Sequence, residues 1–397
     1  MDASALAARD RRALQSVATQ FFVNGAIFAS ISPRLPEIRT RLDVSTGTLG
    51  LLLAAGGAAG LLGSISVGRL VERFGSRRVL IGGALVLVTT MPVIGYATEW
   101  WMFLVGMMLL SSFDVLVDSS MNLQGSWLSG RRDEPVMNRL HGLWSLGTVV
   151  GGLAASRVAA VGISLQIHLV VVALILLAVI VFVGSGLLVE DEYEPDETSV
   201  DGVTVVKRGA RRMLTLMAII GGCSIAMELT SSDWAAFRLT DDLGATPGVA
   251  GLGFVGFTAG MTIGRLAGDA VQVRLGLDRL FRVGVVLALA GLLLATSIDQ
   301  TVIVVVGFLV AGLGVATQFP KLYDDAARLP GRPGAGLGAL TGGSRIALLI
   351  VPVLVGGLAG TALSVGAAIA IVTLPALAAF VLVERMIGRE RLDAAVG

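Results

Sequence analysis

Twelve long apolar stretches alternate with short polar ones along this sequence, and this pattern restricts the fold more than any other feature. A helix needs about 20 apolar residues to cross the hydrocarbon core of a bilayer. By that criterion the predicted spans are 13–38, 46–71, 79–97, 100–128, 137–160, 164–189, 212–238, 247–274, 280–298, 301–325, 334–359 and 362–386. Only 15% of the residues are charged, against about 25% in an average soluble protein. The sequence therefore predicts an all-α integral membrane protein with twelve transmembrane helices.

One long polar segment divides the spans into two equal sets. Residues 190–211 begin acidic and end basic, and we interpret them as a cytoplasmic linker between two six-helix halves, 1–189 and 212–397. An internal repeat supports this division. Gly68-Arg-Leu-Val-Glu-Arg-Phe-Gly-Ser-Arg-Arg78 follows the second span, and Gly264-Arg-Leu-Ala-Gly-Asp269 follows the eighth, about half a chain later. Two parallel halves of this kind form one known architecture of secondary transporters.

The charges of the loops alternate from one side of the spans to the other. Arginine is abundant in every second loop, beginning with Arg9, Arg11 and Arg12 before the first span, and is sparse in the loops between. Because cytoplasmic loops carry the excess of Arg and Lys, both termini are expected in the cytoplasm. The arginine-rich, lysine-poor balance is typical of a GC-rich bacterial genome, so we expect the cytoplasmic (inner) membrane of a bacterium.

The sequence gives no support for several classes of function. A net charge of +1 offers no basis for binding nucleic acid. The phosphate-binding motif, a Gly-rich loop followed by Lys and Ser/Thr, does not occur, and the two histidines do not have metal-ligand spacing. Cys223 lies in an apolar run without a nearby base. We therefore expect no enzyme activity, cofactor or metal, and a monomer in the lipid bilayer.

The fourth span carries an unusual polar stripe. Asp114 and Asp118 are four residues apart and so share one helix face, which Asn122 extends by another turn. A carboxylate at the centre of a bilayer helix costs roughly 2.5–3.5 kcal/mol on insertion scales. The stripe predicts a functional site lined by protein and water. The alternative is a structural acid neutralised by an arginine of the helix bundle.

The loop after the second span resembles the signature Gly-x-x-x-Asp-Arg-x-Gly-Arg-Arg/Lys of the major facilitator superfamily. The matching residues are Gly68, Arg73, Gly75, Arg77 and Arg78. Glu72 replaces the aspartate, and in the looser second copy at Gly264 the acid, Asp269, is displaced by one position. The resemblance implies two six-helix halves and a cytoplasmic gating motif. In that motif glycine allows a tight helix approach, and the charges form a latch that opens as the halves move.

Further segments resemble the fucose-permease-like branch of this superfamily. They are Ser32-Pro-Arg-Leu-Pro36, Asp118-Ser-Ser-Met-Asn122, His141-Gly-Leu-Trp-Ser-Leu-Gly147 and Asp233-Trp234. In fucose permease an acid followed four residues later by Asn lies in the fourth helix and takes part in proton coupling. The resemblance implies that role for Asp118 with Asn122. The chain departs from the permease in its first helix, where Ser30, Ser32 and Arg34 stand in place of an aspartate.

The first, fourth, seventh and tenth spans line the central cavity in this superfamily, which implies a set of site residues; His141 of the fifth span and Arg345 of the eleventh form a second tier. The expected proton-coupling residues are Asp118, then Glu228 and Asp114. The expected substrate-binding residues are Asn24, Arg34, Asn122, Asp233, Trp234, Gln318, Arg345 and His141.

Two arginines have more than one interpretation, because a buried charge needs compensation. Arg34 is a candidate partner of Asp114 or Asp118, either as a permanent pair or as one that opens during transport. Arg345 is a candidate partner of Glu228, or a group that attracts an anionic substrate.

Trp234 and His141 also have two interpretations each. Trp234 lies toward the outer end of its span, where tryptophan commonly anchors a helix at the membrane interface; stacking on substrate is the alternative. His141 begins the fifth span, where we expect a capping or hydrogen-bonding role. The alternative is a proton relay.

Together these features predict a secondary transporter that works by alternating access, with substrate near the bilayer midplane. Burial disfavours a charged carboxylate, so a buried acid can bind and release a proton as access switches. We expect proton-coupled uptake of a small polar, sugar-like solute. One alternative is a proton-antiport efflux pump for drugs or metabolites, since Gly147-Thr-Val-Val-Gly-Gly152 resembles the antiporter signature Gly-Pro-x-x-Gly-Gly. A less favoured one is a membrane sensor that does not translocate.

Overall fold

The structure, a computed structural model, describes residues 3–132, 136–189, 208–316, 318, 322, 326 and 335–396. Twelve long helices occupy these residues. They are α1 Ala3–Ala29, α2 Thr46–Phe74, α3 Ser76–Tyr96, α4 Trp100–Arg132, α5 Met137–Ala160, α6 Leu165–Gly186, α7 Arg208–Asp233, α8 Pro247–Leu275, α9 Leu277–Ser297, α10 Thr301–Ala316, α11 Ala335–Ala359 and α12 Val365–Val396. Eleven are long and apolar enough to cross a membrane, and α10 is a shorter apolar helix. The predicted all-α membrane fold with twelve helices is confirmed.

The predicted spans agree with the helices to within a few residues at most ends, and α5 agrees at both. The first span differs, because α1 ends at Ala29. The chain continues as a 3-10 turn, Ser32–Arg34, and a short helix, Leu35–Arg41. Pro33 and Pro36 lack the N–H groups that a continuous helix needs, which explains the break. The end of the tenth predicted span and the predicted linker as far as residue 207 lie outside the described residues.

The helices form two compact units. One comprises Met1–Asp196 with Thr246–Leu252, and the other comprises Glu197–Ala245 with Gly253–Gly397. The N-terminal unit thus contains α1 to α6 with the first residues of α8. The C-terminal unit contains α7, the rest of α8 and α9 to α12.

Glycines allow the closest helix contacts, and they do so in the same way in both units. In the N-terminal unit a Cβ atom at Gly25 of α1 or at Gly147 of α5 would overlap the backbone of the facing helix. In the C-terminal unit the same is true of Gly221 in α7 and Gly343 in α11. The separations from Gly25 to Gly221 and from Gly147 to Gly343 both equal that from Gly68 to Gly264. The repeat seen in the loop motif therefore extends to helix packing.

A glycine also makes the tight turn within the first copy of the loop motif, and another makes the turn beyond the second copy. Gly75 connects α2 to α3 with φ of 83°, and Gly276 connects α8 to α9 with φ of 78°. Residues other than glycine rarely adopt a positive φ. Each N–H bonds back into the preceding helix, to Val71 and Gln272 respectively, at 2.8 Å in both cases. The two turns are therefore equivalent, and both require glycine.

Charged residues fasten the segment after α1 to the rest of the N-terminal unit. Arg34 donates from Nε to Glu37 Oε2 at 2.8 Å, and from Nη2 to the Ile163 carbonyl at 3.0 Å. Arg41 donates from Nη2 to Gln166 Oε1 at 3.1 Å. These bonds tie Leu35–Arg41 to the turn between α5 and α6 and to the beginning of α6.

The segment after α7 is fastened in a comparable way. Arg238, only 2% exposed, donates to Asp242 at 2.9 Å and to Asp299 at 2.6 Å. Asp242 in turn accepts from the backbone N–H groups of Val365 and Gly366, at 2.9 and 2.8 Å. The first N–H groups of a helix have no partner within it, so Asp242 caps α12. A single buried arginine thus connects the ends of α7, α9 and α12.

Candidate functional site

Three helices of the N-terminal unit meet in a polar network around Asn24. Trp144 of α5 donates its indole N–H to Asn24 Oδ1 at 2.9 Å. Asn24 of α1 donates from Nδ2 to Asp114 Oδ1 of α4 at 2.8 Å. Asn24 is 4% exposed. The predicted site residues Asn24 and Asp114 are therefore in direct contact.

The network has a fixed donor direction. An indole can only donate, so the Asn24 oxygen must face Trp144 and the Asn24 amino group must face Asp114. An amide N–H can donate to a carboxylate or to the carbonyl oxygen of a neutral carboxylic acid. Asp114 is thus held in one place whether or not it carries a proton.

Replacing Trp144 with Phe tests the network. The ring is kept but its donor is lost, so we expect a loss of about 1 kcal/mol in stability and a thermal unfolding midpoint a few degrees lower. Trp101→Phe, at a residue that is 53% exposed, is the matched control and should leave the midpoint unchanged. Equal midpoints for Trp144→Phe and wild type would show that the indole bond does not contribute.

Asp118 and Asn122 form a second contact one turn further along α4. Asn122 donates from Nδ2 to Asp118 Oδ1 at 3.1 Å and to the Asp118 backbone carbonyl at 2.8 Å. This bond follows from the four-residue spacing, which places the two side chains on one helix face. Asp118 is exposed, whereas Asp114 is partly covered. The two acids of the stripe thus have different surroundings.

Glu228, the predicted acid of α7, pairs with Arg265 of α8. Glu228 Oε1 lies 3.5 Å from Arg265 Nη2, and both side chains are about a quarter exposed (24% and 29%). The expected pairing of Glu228 with Arg345 is therefore wrong. Arg345 lies half-buried on α11, and the structure gives it no ion pair within the described residues.

The expected pairing of Arg34 with Asp114 or Asp118 is also wrong. Arg34 is 4% exposed and is paired with Glu37 at 2.6 Å. The physical reason is the break after α1, which carries Arg34 away from the polar stripe and beside an acid three residues on. Arg34 is therefore held by Glu37 and by the Ile163 carbonyl, both in its own unit.

Trp234 is 0% exposed and packs against Phe237, with ring centroids 5.1 Å apart. An anchor at the membrane interface must reach the headgroups, so that expectation is wrong. Asp233 beside it is partly buried, and its Oδ1 lies 3.5 Å from Ser232 Oγ.

The remaining predicted polar residues are dispersed. Gln318 is fully buried, and its amide has no hydrogen-bond partner among the described residues. His141 is exposed at the beginning of α5, with its ring edge-on to Phe21 at a centroid distance of 5.2 Å. Their predicted contacts with substrate stay predictions.

In the gating motif, Gly264 packs against Leu313 and Ala316 of α10, as expected of a glycine at a close approach. At Gly68 a Cβ atom would meet no described atom within 4 Å, so the described residues show no close helix approach at this position. The Arg73 guanidinium lies 5.2 Å from the centre of the Phe74 ring. The side chain of Asp269 lies outside the described ones. The latch formed by Glu72, Arg77 and Arg78 stays a prediction.

Trp144 and Arg265 were not among the predicted site residues. Trp144 lies within the quoted segment from His141 to Gly147, and Arg265 directly follows Gly264, so both were near a recognised motif. The contacts that bring them to the site join different helices, so local spacing does not reveal them. The only indication in the sequence that these two residues belong to the site is their position within or beside a recognised motif.

A comparison with models of protein families matches residues 17–232, more than half of the chain, to the Major Facilitator Superfamily. The chain belongs to this family. Its relatives include an uncharacterized MFS-type transporter of Yersinia pestis, 26% identical over 314 residues that cover 79% of this chain and 80% of the relative. Membrane protein MosC of Rhizobium meliloti is 27% identical over 316 residues, 80% of this chain and 76% of MosC. The chain is thus a multi-pass integral membrane protein of a transporter family.

Solved structures agree with this fold. The nucleoside transporter NupG superimposes with a TM-score of 0.73 at 10% identity, covering 94% of this chain and 98% of NupG. A bacterial homolog of the human lysosomal transporter Spinster gives a TM-score of 0.67 at 15% identity, covering 94% and 96%. At such low identity these matches describe the fold alone.

Proposed function

We propose that this member of the superfamily is a proton-coupled secondary transporter that takes up a small polar solute by alternating access. One observation carries the proposal: two carboxylic acids lie one turn apart on α4, a membrane-spanning helix, and each accepts a hydrogen bond from an asparagine amide. Intramembrane acids are costly and by default indicate a path for ions or protons.

Asp118 is the preferred proton carrier. Its Oδ1 accepts from Asn122, and an amide donor is compatible with both the charged and the neutral acid. It is also the more exposed of the two acids, as exchange with water requires.

Asp114 is fixed between helices by Asn24, which suits a residue that positions the site. Glu228 is a third candidate, with Arg265 as a partner that it would exchange for a proton.

A polar, sugar-like solute fits the side chains proposed to bind it. The amides of Asn122 and Gln318 are neutral groups that both donate and accept, as hydroxylated solutes require. The Asn24 amide is already bonded to Trp144 and Asp114. NupG, which shares the fold, is a nucleoside transporter, so nucleosides belong among the solutes to be tested.

Efflux by proton antiport is less well supported. Its sequence basis was the segment Gly147-Thr-Val-Val-Gly-Gly152. In the structure Gly147 and Gly151 pack α5 against the backbone of α1. Gly343 performs the same packing role in the other unit. Helix packing thus accounts for the glycines of this segment, and the same kind of packing occurs within each unit.

We further propose that the chain acts as a monomer in a bacterial cytoplasmic membrane with both termini in the cytoplasm. The arginine-rich loops support this orientation under the positive-inside rule. Modification of introduced cysteines from either side of intact cells would test it.

A thermal-stability screen of the purified protein would test the class of solute. A ligand that binds only the folded state stabilises it by RT ln(1 + [L]/Kd), about 2.7 kcal/mol at one hundred times Kd. We expect selective stabilisation by one group among sugars, nucleosides and amino acids. Stabilisation by lipophilic cations alone would contradict uptake of a polar solute and favour the efflux alternative.

A further inference from the structure

A groove of about 540 Å³ lies on the C-terminal unit, between the beginning of α9 and the latter part of α12. Its walls combine apolar side chains with two arginines and two acids, Asp278 and Glu384. They include Phe281, Arg282, Val285, Val286, Val381 and Arg385. None of these residues belongs to the polar stripe of α4 or to the Glu228 pair, so the proposed transport site does not account for the groove.

The groove has a charged end and an apolar end. Going along α9, Asp278 and Arg282 come before Val285 and Val286. Going along α12, Val381 comes before Glu384 and Arg385. Because both helices line the same groove and run in opposite directions, the charged residues collect at one end and the valines at the other. A phospholipid has the same division between headgroup and acyl chain.

The charged end lies at the level expected for lipid headgroups. From Val283 to Ala295, α9 has no charged residue, and Val286 is 64% exposed. Exposed apolar side chains on a membrane span face lipid. The α12 residues between Val365 and Glu384 rise about 30 Å at 1.5 Å per residue, which is the thickness of the hydrocarbon core. Glu384 and Arg385 therefore lie at its boundary.

At this end the groove itself is lined by two arginines and two acids, and exposed arginines in the adjacent helix turns make the surrounding surface positive. Exposed arginines outnumber acids among the described residues of 274–282 and 384–389; the arginines are Arg274, Arg279, Arg282, Arg385 and Arg389, and the acids are Asp278 and Glu384. Arg282 donates from Nε to the Asp278 backbone carbonyl at 3.2 Å. The structure gives its terminal nitrogens, and the Arg385 guanidinium, no ion pair within the described part of the chain. Both guanidinium groups are free to bind a phosphate, for which arginine geometry is suited.

We propose that this groove binds an anionic phospholipid, with the headgroup phosphate on Arg282 and Arg385 and an acyl chain along Val285, Val286 and Val381. The positive surface around the groove favours an anionic headgroup over a zwitterionic one. Basic pockets between transmembrane helices bind anionic headgroups in this way. The Phe281 ring, stacked on Phe380 at 5.7 Å between centroids, gives the groove a rigid base.

Native mass spectrometry of the full-length protein with added phosphatidylglycerol or phosphatidylethanolamine tests the proposal. We expect one phosphatidylglycerol to be retained in preference to phosphatidylethanolamine. Arg282→Gln with Arg385→Gln should weaken retention of phosphatidylglycerol about thirtyfold, the loss expected for two interfacial arginines. Arg11→Gln, the same change at an exposed arginine of the other unit, should leave retention unchanged.

A second variant tests the apolar end independently of charge. Val286→Trp fills the groove at an exposed position and should release the lipid while both arginines remain. If the double arginine variant does not fold, Val286→Trp decides the outcome. Equal retention of the two lipids by wild type, or unchanged phosphatidylglycerol retention in a folded variant, would overturn the proposal.

Discussion

Asp118→Asn is expected to abolish solute accumulation driven by a pH gradient while leaving solute exchange across the membrane intact. The amide oxygen of the new side chain can still accept from Asn122, so the contact now seen at 3.1 Å is preserved. Only the ability to bind and release a proton is lost. A carrier without its proton can still alternate when solute occupies the site, which is why exchange should remain. The measurement is uptake into proteoliposomes with and without a pH gradient, using the solute that stabilises the purified protein.

Two further variants make this test specific. Asp43→Asn is a matched control, because Asp43 is exposed in the turn before α2 with φ of 52°, a backbone region that asparagine tolerates. It should transport like wild type. Asp114→Asn keeps an acceptor for Asn24 and should weaken accumulation without abolishing it. If accumulation survives in Asp118→Asn and is lost in Asp114→Asn, the carrier is Asp114 and our assignment is wrong.

The parts of the structure that could be predicted from sequence are those fixed by local chemistry. Hydropathy over about 20 residues identifies a span, because the bilayer imposes the length. Four-residue spacing predicted that Asp118 and Asn122 share a helix face, and they are hydrogen-bonded. The loop motif was recognised from its own short sequence, and its Gly75 adopts the positive φ that only glycine takes readily. Each of these inferences depends on residues close together in the chain.

The wrong predictions concern surroundings that spacing along the chain does not determine. Helical periodicity gives the face on which a side chain lies, but not which neighbouring helix that face meets. Arg34 and Arg345 were each assigned to an acid only because a buried charge needs a partner. In the structure Arg34 pairs with Glu37, and Glu228 pairs with Arg265 instead of Arg345. Trp234 was placed at the interface from its position in the span, yet it is fully buried. Charge compensation was correctly anticipated for Glu228; the identity of the partner required three-dimensional information.

Arg238→Met is expected to lower the stability of the protein by about 3–5 kcal/mol, as breaking a buried ion pair does. Arg238 is 2% exposed and holds Asp242, Asp299 and the carbonyls of Ala295 and Ile298. Methionine fills similar space but leaves those carbonyls and the Asp242 carboxylate without their donor. The thermal unfolding midpoint should fall by about 5–10 °C. A thiol-reactive dye at Cys223, the single cysteine, can report unfolding.

The partners of Arg238 determine how this loss is interpreted. Asp299 is 80% exposed, so Asp299→Asn should cost at most about 1 kcal/mol, as surface pairs do. Asp242 is shared between Arg238 and the N-terminus of α12. Asp242→Asn should therefore cost less in the Arg238→Met background than alone, since the unpaired buried charge is then removed. Arg279→Met, at an exposed arginine, is the matched control. Equal midpoints for Arg238→Met and Arg279→Met would mean that Arg238 does not hold the ends of α7, α9 and α12 together.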